Sequence, residues 1–288
     1  MKIPFIKMQG LGNDYIYVDV TAGGVRGPQR EALLADPARW SRKWSDRRTG
    51  IGSDGLVLIG DSTVADFSMR IFNADGSEAQ MCGNASRCIG KYVYEKGLCR
   101  RTTVTLETLS GVKVLDLHTG ADGLVESVSV DMGVARAVSQ NLAVEACGQA
   151  FTGIAVDVGN PHLVLFVEDA GAADVEHVGP VLERHPLFPD RVNVEFLSRL
   201  PAAGNAGAPT RLRMRVWERG SGITRACGTG ACASCVAATL EGLSPDGRCE
   251  IVMDGGSLVI SYDRRSGRVL MRGPAEYEYE GTVALDEV

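Results

Sequence analysis

The sequence repeats itself at long range. MRIFN at 69–73 resembles MRVWE at 214–218, and the two methionines lie 145 positions apart (214 − 69 = 145). Cys82 and Cys227 are separated by the same interval (227 − 82 = 145). A Gly-Ser pair stands before each cysteine, Gly76-Ser77 and Gly220-Ser221, and the cysteines open similar strings, MCGNASRC at 81–88 and ACGTGAC at 226–232. Further upstream, Gly12-Asn13 and Gly159-Asn160 precede the cysteines by 69 (82 − 13) and 67 (227 − 160) positions. Landmarks recurring in one order imply a duplicated unit, with two similar halves that each carry half of a site. At 288 residues the chain exceeds the roughly 100–200 of a single domain, which fits two cores.

Local patterns say what each half contains. Residues 67–72 and 211–217 read as strands, with RLRMRVW the clearer period-two case, and a turn should follow at each Gly-Ser pair. Ala85, Cys88, Ile89 and Tyr92 fall at i, i+3, i+4 and i+7, one face of a helix that Gly97 can end. The stretch 230–242 is small and apolar nearly all round, which suits a helix enclosed by sheet. Both cysteines are therefore expected at helix N-termini. Strands are predicted near 103–109, 124–131, 162–167, 249–253 and 257–262, and helices near 29–45 and 173–185. Asp36-Pro37 reads as an N-cap and first-turn proline that break the first of these.

A net charge of −6 and a pI near 5.4 give no general attraction for nucleic acid or an anionic membrane. No apolar run approaches the roughly 18 residues of a membrane span, and the first residues lack a signal-peptide core. A soluble, cytoplasmic protein is expected. Eight cysteines in a chain of this length do not make a disulfide scaffold and point to free thiols, metal ligands or catalysis.

A thiol of ordinary pKa, about 8.5, is mostly protonated at neutral pH, and the N–H groups and dipole of a helix N-terminus favour its thiolate. The same N–H groups bind a carboxylate. One thiol from each half, on opposite faces of one substrate carbon, can remove a proton from one side and deliver a proton to the other. That chemistry inverts a stereocentre.

GLGNDYIYVD at 10–19, GIGSDGL at 50–56, FNADGSEAQMCGN at 72–84, GNPH at 159–162, RVN at 191–193 and ERGSGITRACGTGAC at 218–232 resemble the diaminopimelate epimerase family. The blocks run in order over nearly the whole chain. The resemblance implies a cofactor-independent, two-thiol epimerase that converts LL-2,6-diaminopimelate to the meso form, in lysine and peptidoglycan precursor biosynthesis. It also implies an α/β fold of two pseudo-symmetric lobes, strands wrapped round a central helix in each, with the active site in the cleft between them. The lobes would be 1–127 with 275–288, and 128–274. Carried over by position, the acid/base thiols fall on Cys82 and Cys227. Ligands of the reacting amino-acid end fall on Asn13, Gly83, Asn84, Asn160, Gly228 and Thr229, with Glu218 and His162 beside the thiols. The far end of the substrate falls to Asn73, Asn193 and Arg219, where a bidentate arginine suits a carboxylate. Neither metal nor cofactor is implied; the partners would be the small amino-acid substrate and a second copy in a homodimer. Two positions depart from the family: Ala85, where many members have glycine, and Gly55, where some have a ligand glutamine.

Other readings stay open at this point. Cys88, Cys99, Cys147, Cys232, Cys235 and Cys249 read as buried packing cysteines. A zinc cluster drawn from Cys82, Cys88, Cys227, Cys232 and Cys235 lacks the paired C-x2–4-C spacing of structural zinc, but a thiol metal-binding module is the rival outside enzymes. Within enzymes the rival is a proline or hydroxyproline racemase, whose substrate would leave Arg219 without a second carboxylate. The glycine-rich GIGSDG and GLGND strings complete no nucleotide fingerprint.

Overall fold

The computed structural model describes residues 2–202 and 207–285, and its strands pair in one order twice. Two units divide the chain, Met1–Val130 with Gly273–Val288, and Asp131–Arg272. The first contains β1 (Lys2–Gly10), β2 (Asn13–Asp19), α1 (Gly27–Ala35), α2 (Pro37–Ser45), β3 (Gly55–Gly60), β4 (Phe67–Asn73), β5 (Glu78–Ala79), α3 (Gly83–Glu95), β6 (Thr103–Thr108), β7 (Gly111–Thr119) and most of β8 (Val125–Val134). The second holds β9 (Arg136–Ala146), β10 (Gln149–Asp157), β11 (Pro161–Phe166), α4 (Val175–Glu183), β12 (Asn193–Arg199), β13 (Thr210–Glu218), β14 (Gly222–Thr224), α5 (Gly228–Leu240), β15 (Arg248–Met253), β16 (Gly256–Tyr262) and β17 (Arg268–Gly273). Finally β18 (Glu276–Ala284) returns to the first unit.

In the first unit the strands run β18-β1-β2-β3-β4-β6-β7-β8, parallel only at β2/β3 and β4/β6, with β5 a short hairpin partner of β4. In the second they run β9-β10-β11-β12-β13-β15-β16-β17, parallel only at β11/β12 and β13/β15, with β14 on β13. The correspondence is strand for strand. The 145-residue echo is thus one fold used twice, a mixed α/β architecture with few helices and much sheet.

Each unit has a central and an outer helix region. All of α5 from Gly230 to Thr239 is buried, because β10, β11, β12, β13, β15 and β16 pack round it. Only small side chains fit there, and Ala, Cys, Ser and Gly supply them. The matching helix α3 packs on β1 and β7, and Gly90 lets Leu117 approach to 2.8 Å of where a Cβ would stand. On the outer side, Trp40 and Trp44 of α2 join Ile16, Val18, Leu56, Leu58 and Phe72 in one core, while α4 covers Leu163, Leu165, Val194 and Phe196 in the other unit. Strand residues therefore alternate between outer core and central helix.

The predicted element boundaries hold to within a few residues. Asp36 breaks α1 from α2 and caps the latter, its carboxylate accepting from Arg39 N at 3.0 Å. Gly76 and Gly220, at φ +86° and +81°, make the turns after β4 and β13. One expectation fails: Cys147 is exposed, because it occupies a left-handed turn position between β9 and β10, at φ +52°. The other five cysteines read as packing residues are buried.

Trp40 is 2% exposed, and its indole N–H donates to Ala32 O. Replacing Trp40 by Ala should destabilise the protein by about 3–5 kcal/mol in denaturant titration; a loss below about 1 kcal/mol would show that this core is not close-packed.

Candidate active site

Cys82 and Cys227 occupy the same structural position. Each is the N-cap of a 13-residue helix, α3 or α5, with extended backbone at φ −137°, ψ 120° and φ −129°, ψ 110°. The first N–H groups of a helix have no partner within it, so the residues around each cap face unsatisfied donors. Gly230 N uses one of them on the Cys227 sulfur, at 3.3 Å.

Around Cys82 the polar set is amide-rich. Its Sγ lies 3.6 Å from Asn13 Oδ1, which also accepts from Asn84 Nδ2 at 3.1 Å. Asn13 is held from behind, since its Nδ2 donates to Asp54 Oδ2 at 2.7 Å. Asp54 also accepts from the Asp14 N–H and from Arg47, which reaches Asp14 as well. Burial opposes ionisation of Asp14, but hydrogen bonds from Arg47 and Lys7 outweigh it and hold the carboxyl below its usual range.

Around Cys227 the set is richer in charge. Thr229 Oγ1 lies 3.6 Å from Cys227 Sγ and accepts from Asn160 Nδ2 at 3.4 Å. Asn160 Oδ1 is 3.0 Å from His162 Nε2, and the other ring nitrogen meets Glu195 Oε1 at 2.7 Å. His162 and Glu195 are both fully buried. Glu218, at the end of β13, accepts from Thr224 Oγ1 and adjoins the Cys227 thiol.

The electrostatics at Cys227 differ from the thiolate expected at a helix end. Burial pushes the thiol well above its ordinary value, and the charges of Glu218 and Glu195 push the same way, whereas Thr229 and Gly230 pull it down. Two carboxylates and a dry setting outweigh the helix terminus. Burial likewise raises Glu218, partly offset by its bonds from Thr224 and Cys227. A protonated thiol therefore rests beside a carboxylate whose affinity for a proton is itself raised.

The remaining sequence-derived positions divide clearly. Gly83 and Gly228 are the first residues of α3 and α5. Asn193 is buried at the start of β12, opposite His162 in register; its Nδ2 donates to Pro161 O and its Oδ1 accepts from Arg219 N. The Arg219 guanidinium is exposed and donates to Asp190 O. Asn73 serves its hairpin, donating to Ser77 Oγ at 3.0 Å. A Cβ at Gly55 would meet Phe72 O at 2.0 Å, so this backbone admits no side-chain ligand there. Ala85 is buried in the first turn of α3. Glu195 was missed by sequence reasoning. Its signal is a lone carboxylate in the apolar run NVEFLS at 193–198, on the strand face shared with Asn193 rather than with Val194 and Phe196.

The same fold recurs in solved structures of low sequence identity. Solved structures sharing it include a hydroxyproline epimerase from Agrobacterium vitis with bound trans-4-hydroxy-L-proline, at TM-score 0.69 and 18% identity over 99% of this chain and 92% of that one. A Bacillus anthracis phenazine biosynthesis protein has TM-score 0.71 at 14% identity, over 99% of this chain and 100% of that one. The particular family is fixed by sequence. The family model for diaminopimelate epimerase matches residues 5–138 and 154–278. The diaminopimelate epimerase of Phocaeicola vulgatus is 54% identical, covering 98% of this chain and 99% of its own, and that of Acetivibrio thermocellus is 45% identical, covering 99% of each. The chain belongs to the diaminopimelate epimerase family.

Charges facing Cys227 come from Glu218 on β13 and Glu195 on β12. Removing one negative charge beside a thiol makes its thiolate easier to form. In Glu218→Gln, alkylation of Cys227 by iodoacetamide, followed by peptide mass spectrometry across pH, should therefore set in at lower pH than in the parent. An unchanged or higher onset would contradict the electrostatic reading.

Proposed function

We propose that the protein interconverts LL- and meso-2,6-diaminopimelate without a cofactor, with Cys82 and Cys227 as the two acid/base groups. The observation that carries this reading is the pair of cysteines in one N-cap pose on equivalent helices, in a chain of this family. One thiolate takes the α-proton, and the other thiol gives its proton to the opposite face of the same carbon. The bond broken and the bond formed are both C–H, so nothing is oxidised and the sulfurs exchange roles. The reverse direction uses the same groups in opposite order.

An α-proton is a weak acid, and the electron pair left behind must be stabilised. The N–H groups beginning at Gly83-Asn84 and Gly228-Thr229 are suited to the α-carboxylate, where negative charge grows as the proton leaves. Asn13 and Asn160 supply amide groups for the same end of the substrate. Glu218, held by Thr224, adjoins the Cys227 thiol and favours its protonated form, which suits Cys227 to deliver a proton. His162 supports Asn160.

Specificity for a second carboxylate is assigned to Arg219 with Asn73 and Asn193. A proline-type substrate has no group for that guanidinium. We also propose a cytoplasmic location, supported by eight free thiols, and a homodimer, as the family resemblance implies.

Either Cys82→Ala or Cys227→Ala should lower conversion of the LL isomer to meso by about 100-fold or more while the circular dichroism spectrum is kept, since each inversion needs both an acid and a base. Near-parental turnover in either variant would refute the two-thiol mechanism. Arg219→Lys keeps the charge but loses the planar fork, so kcat/KM should fall by about 1.5–3 kcal/mol. A silent substitution would refute the assigned far-carboxylate contact.

A further inference from the structure

Glu195 is a buried carboxylate with one oxygen on His162 and the other without a hydrogen-bond partner. Such a group is costly in a protein interior unless it serves something. The duplication supplies an internal control. His162 pairs in register with Asn193, as Tyr15 pairs with Gly55, so His162 and Glu195 correspond to Tyr15 and Val57 of the first unit. There the same two positions, on the same two strands beside the same kind of helix, carry no charge. The fold alone does not require the pair.

A second substitution goes with the first. The third residue after the cysteine is Ala85 in α3 but Gly230 in α5. A Cβ on Gly230 would lie 2.7 Å from Glu195 Oε1 and 3.2 Å from Cys227 Sγ. Where the strand carries valine the helix accepts alanine, and where it carries glutamate the helix needs glycine. Glu195 is thereby brought up to the helix start that bears the thiol.

We propose that Glu195 is a positioning residue of the Cys227 half of the site: its carboxylate fixes the Nδ1–H tautomer of His162 and, through it, the hydrogen bonds running by Asn160 and Thr229 to the sulfur. The carboxylate can only accept, so Nδ1 must donate and Nε2 becomes an acceptor; it is met by Asn160 with the amide turned end for end, its NH2 group donating to Nε2 and its oxygen accepting from the Thr229 hydroxyl. Asn160 in turn orients Thr229 at 3.6 Å from the sulfur. This role rests on the reading of Cys227 as an acid/base group. Glu195 touches no reacting atom; beside the effect of its charge on the thiol, it acts through this chain of bonds.

Glu195→Gln tests it with little change of shape, because an amide can accept or donate and so no longer dictates the tautomer. Long-range 1H–15N spectra of the four histidines, with the His162 signal assigned by its loss in His162→Asn, should show an Nδ1-protonated ring in the parent and a changed pattern in Glu195→Gln. With diaminopimelate, kcat should fall about 10- to 100-fold, the usual effect of losing a group that orients a site residue, with KM within about threefold. The double variant Glu195→Val with Gly230→Ala, which copies the first unit, should show the same loss of kcat. An unchanged His162 pattern, or kcat within twofold of the parent in a folded variant, overturns the proposal. If the parent itself produces no meso isomer, the proposed function fails instead, and the histidine spectra still decide whether Glu195 sets the tautomer.

Discussion

A helix enclosed by sheet can meet polar ligands only at its ends, and everything else in this protein follows from that constraint. The N-terminal N–H groups of α3 and α5 cannot be satisfied within the helix, and each cap residue is a cysteine. Burial of the helix body demands small side chains, visible in the run from Gly230 to Ala238. The same demand keeps the helix start narrow, so that strand residues such as Glu195 reach it. Helix-end N–H donors, a capping thiol and a tight core come together in one arrangement.

Duplication provides two such helix ends, and divergence has made them unequal. The first is lined by Asn13 and Asn84, with Asp54 and Arg47 behind. The second sets Glu218, Glu195 and His162 around its thiol. A buried thiol flanked by carboxylates favours its protonated form, whereas the Cys82 sulfur lies beside the side-chain amide of Asn13. The two thiols therefore sit in unequal surroundings.

Much of this was legible in the sequence, for physical reasons. Fixed spacing exposed the duplication, and period-two and period-3.6 patterns located strands and helices. Asp36-Pro37 announced the break between α1 and α2 because capping and the proline ring act locally. Local signals could not reveal the charge state of Cys227, which is set by Glu218 and Glu195 from other strands. Glu195 itself lay hidden because a single carboxylate in an apolar run has no periodic signature, and its partner His162 is 33 positions away in sequence. Cys147 was misread for the opposite reason: the left-handed turn that exposes it depends on how β9 and β10 are joined.

The central claim is that two different groups handle the proton on the two faces of one carbon. It is tested most directly by following the LL isomer in D2O under initial-rate conditions, by NMR and mass spectrometry. Two thiols predict that each meso molecule formed carries one solvent deuterium at the inverted carbon while the remaining LL substrate is nearly unlabelled, because the group that removes a proton is not the one that supplies it. Deuterium appearing in recovered LL substrate as fast as in meso product would indicate a single base working on both faces and would contradict the account.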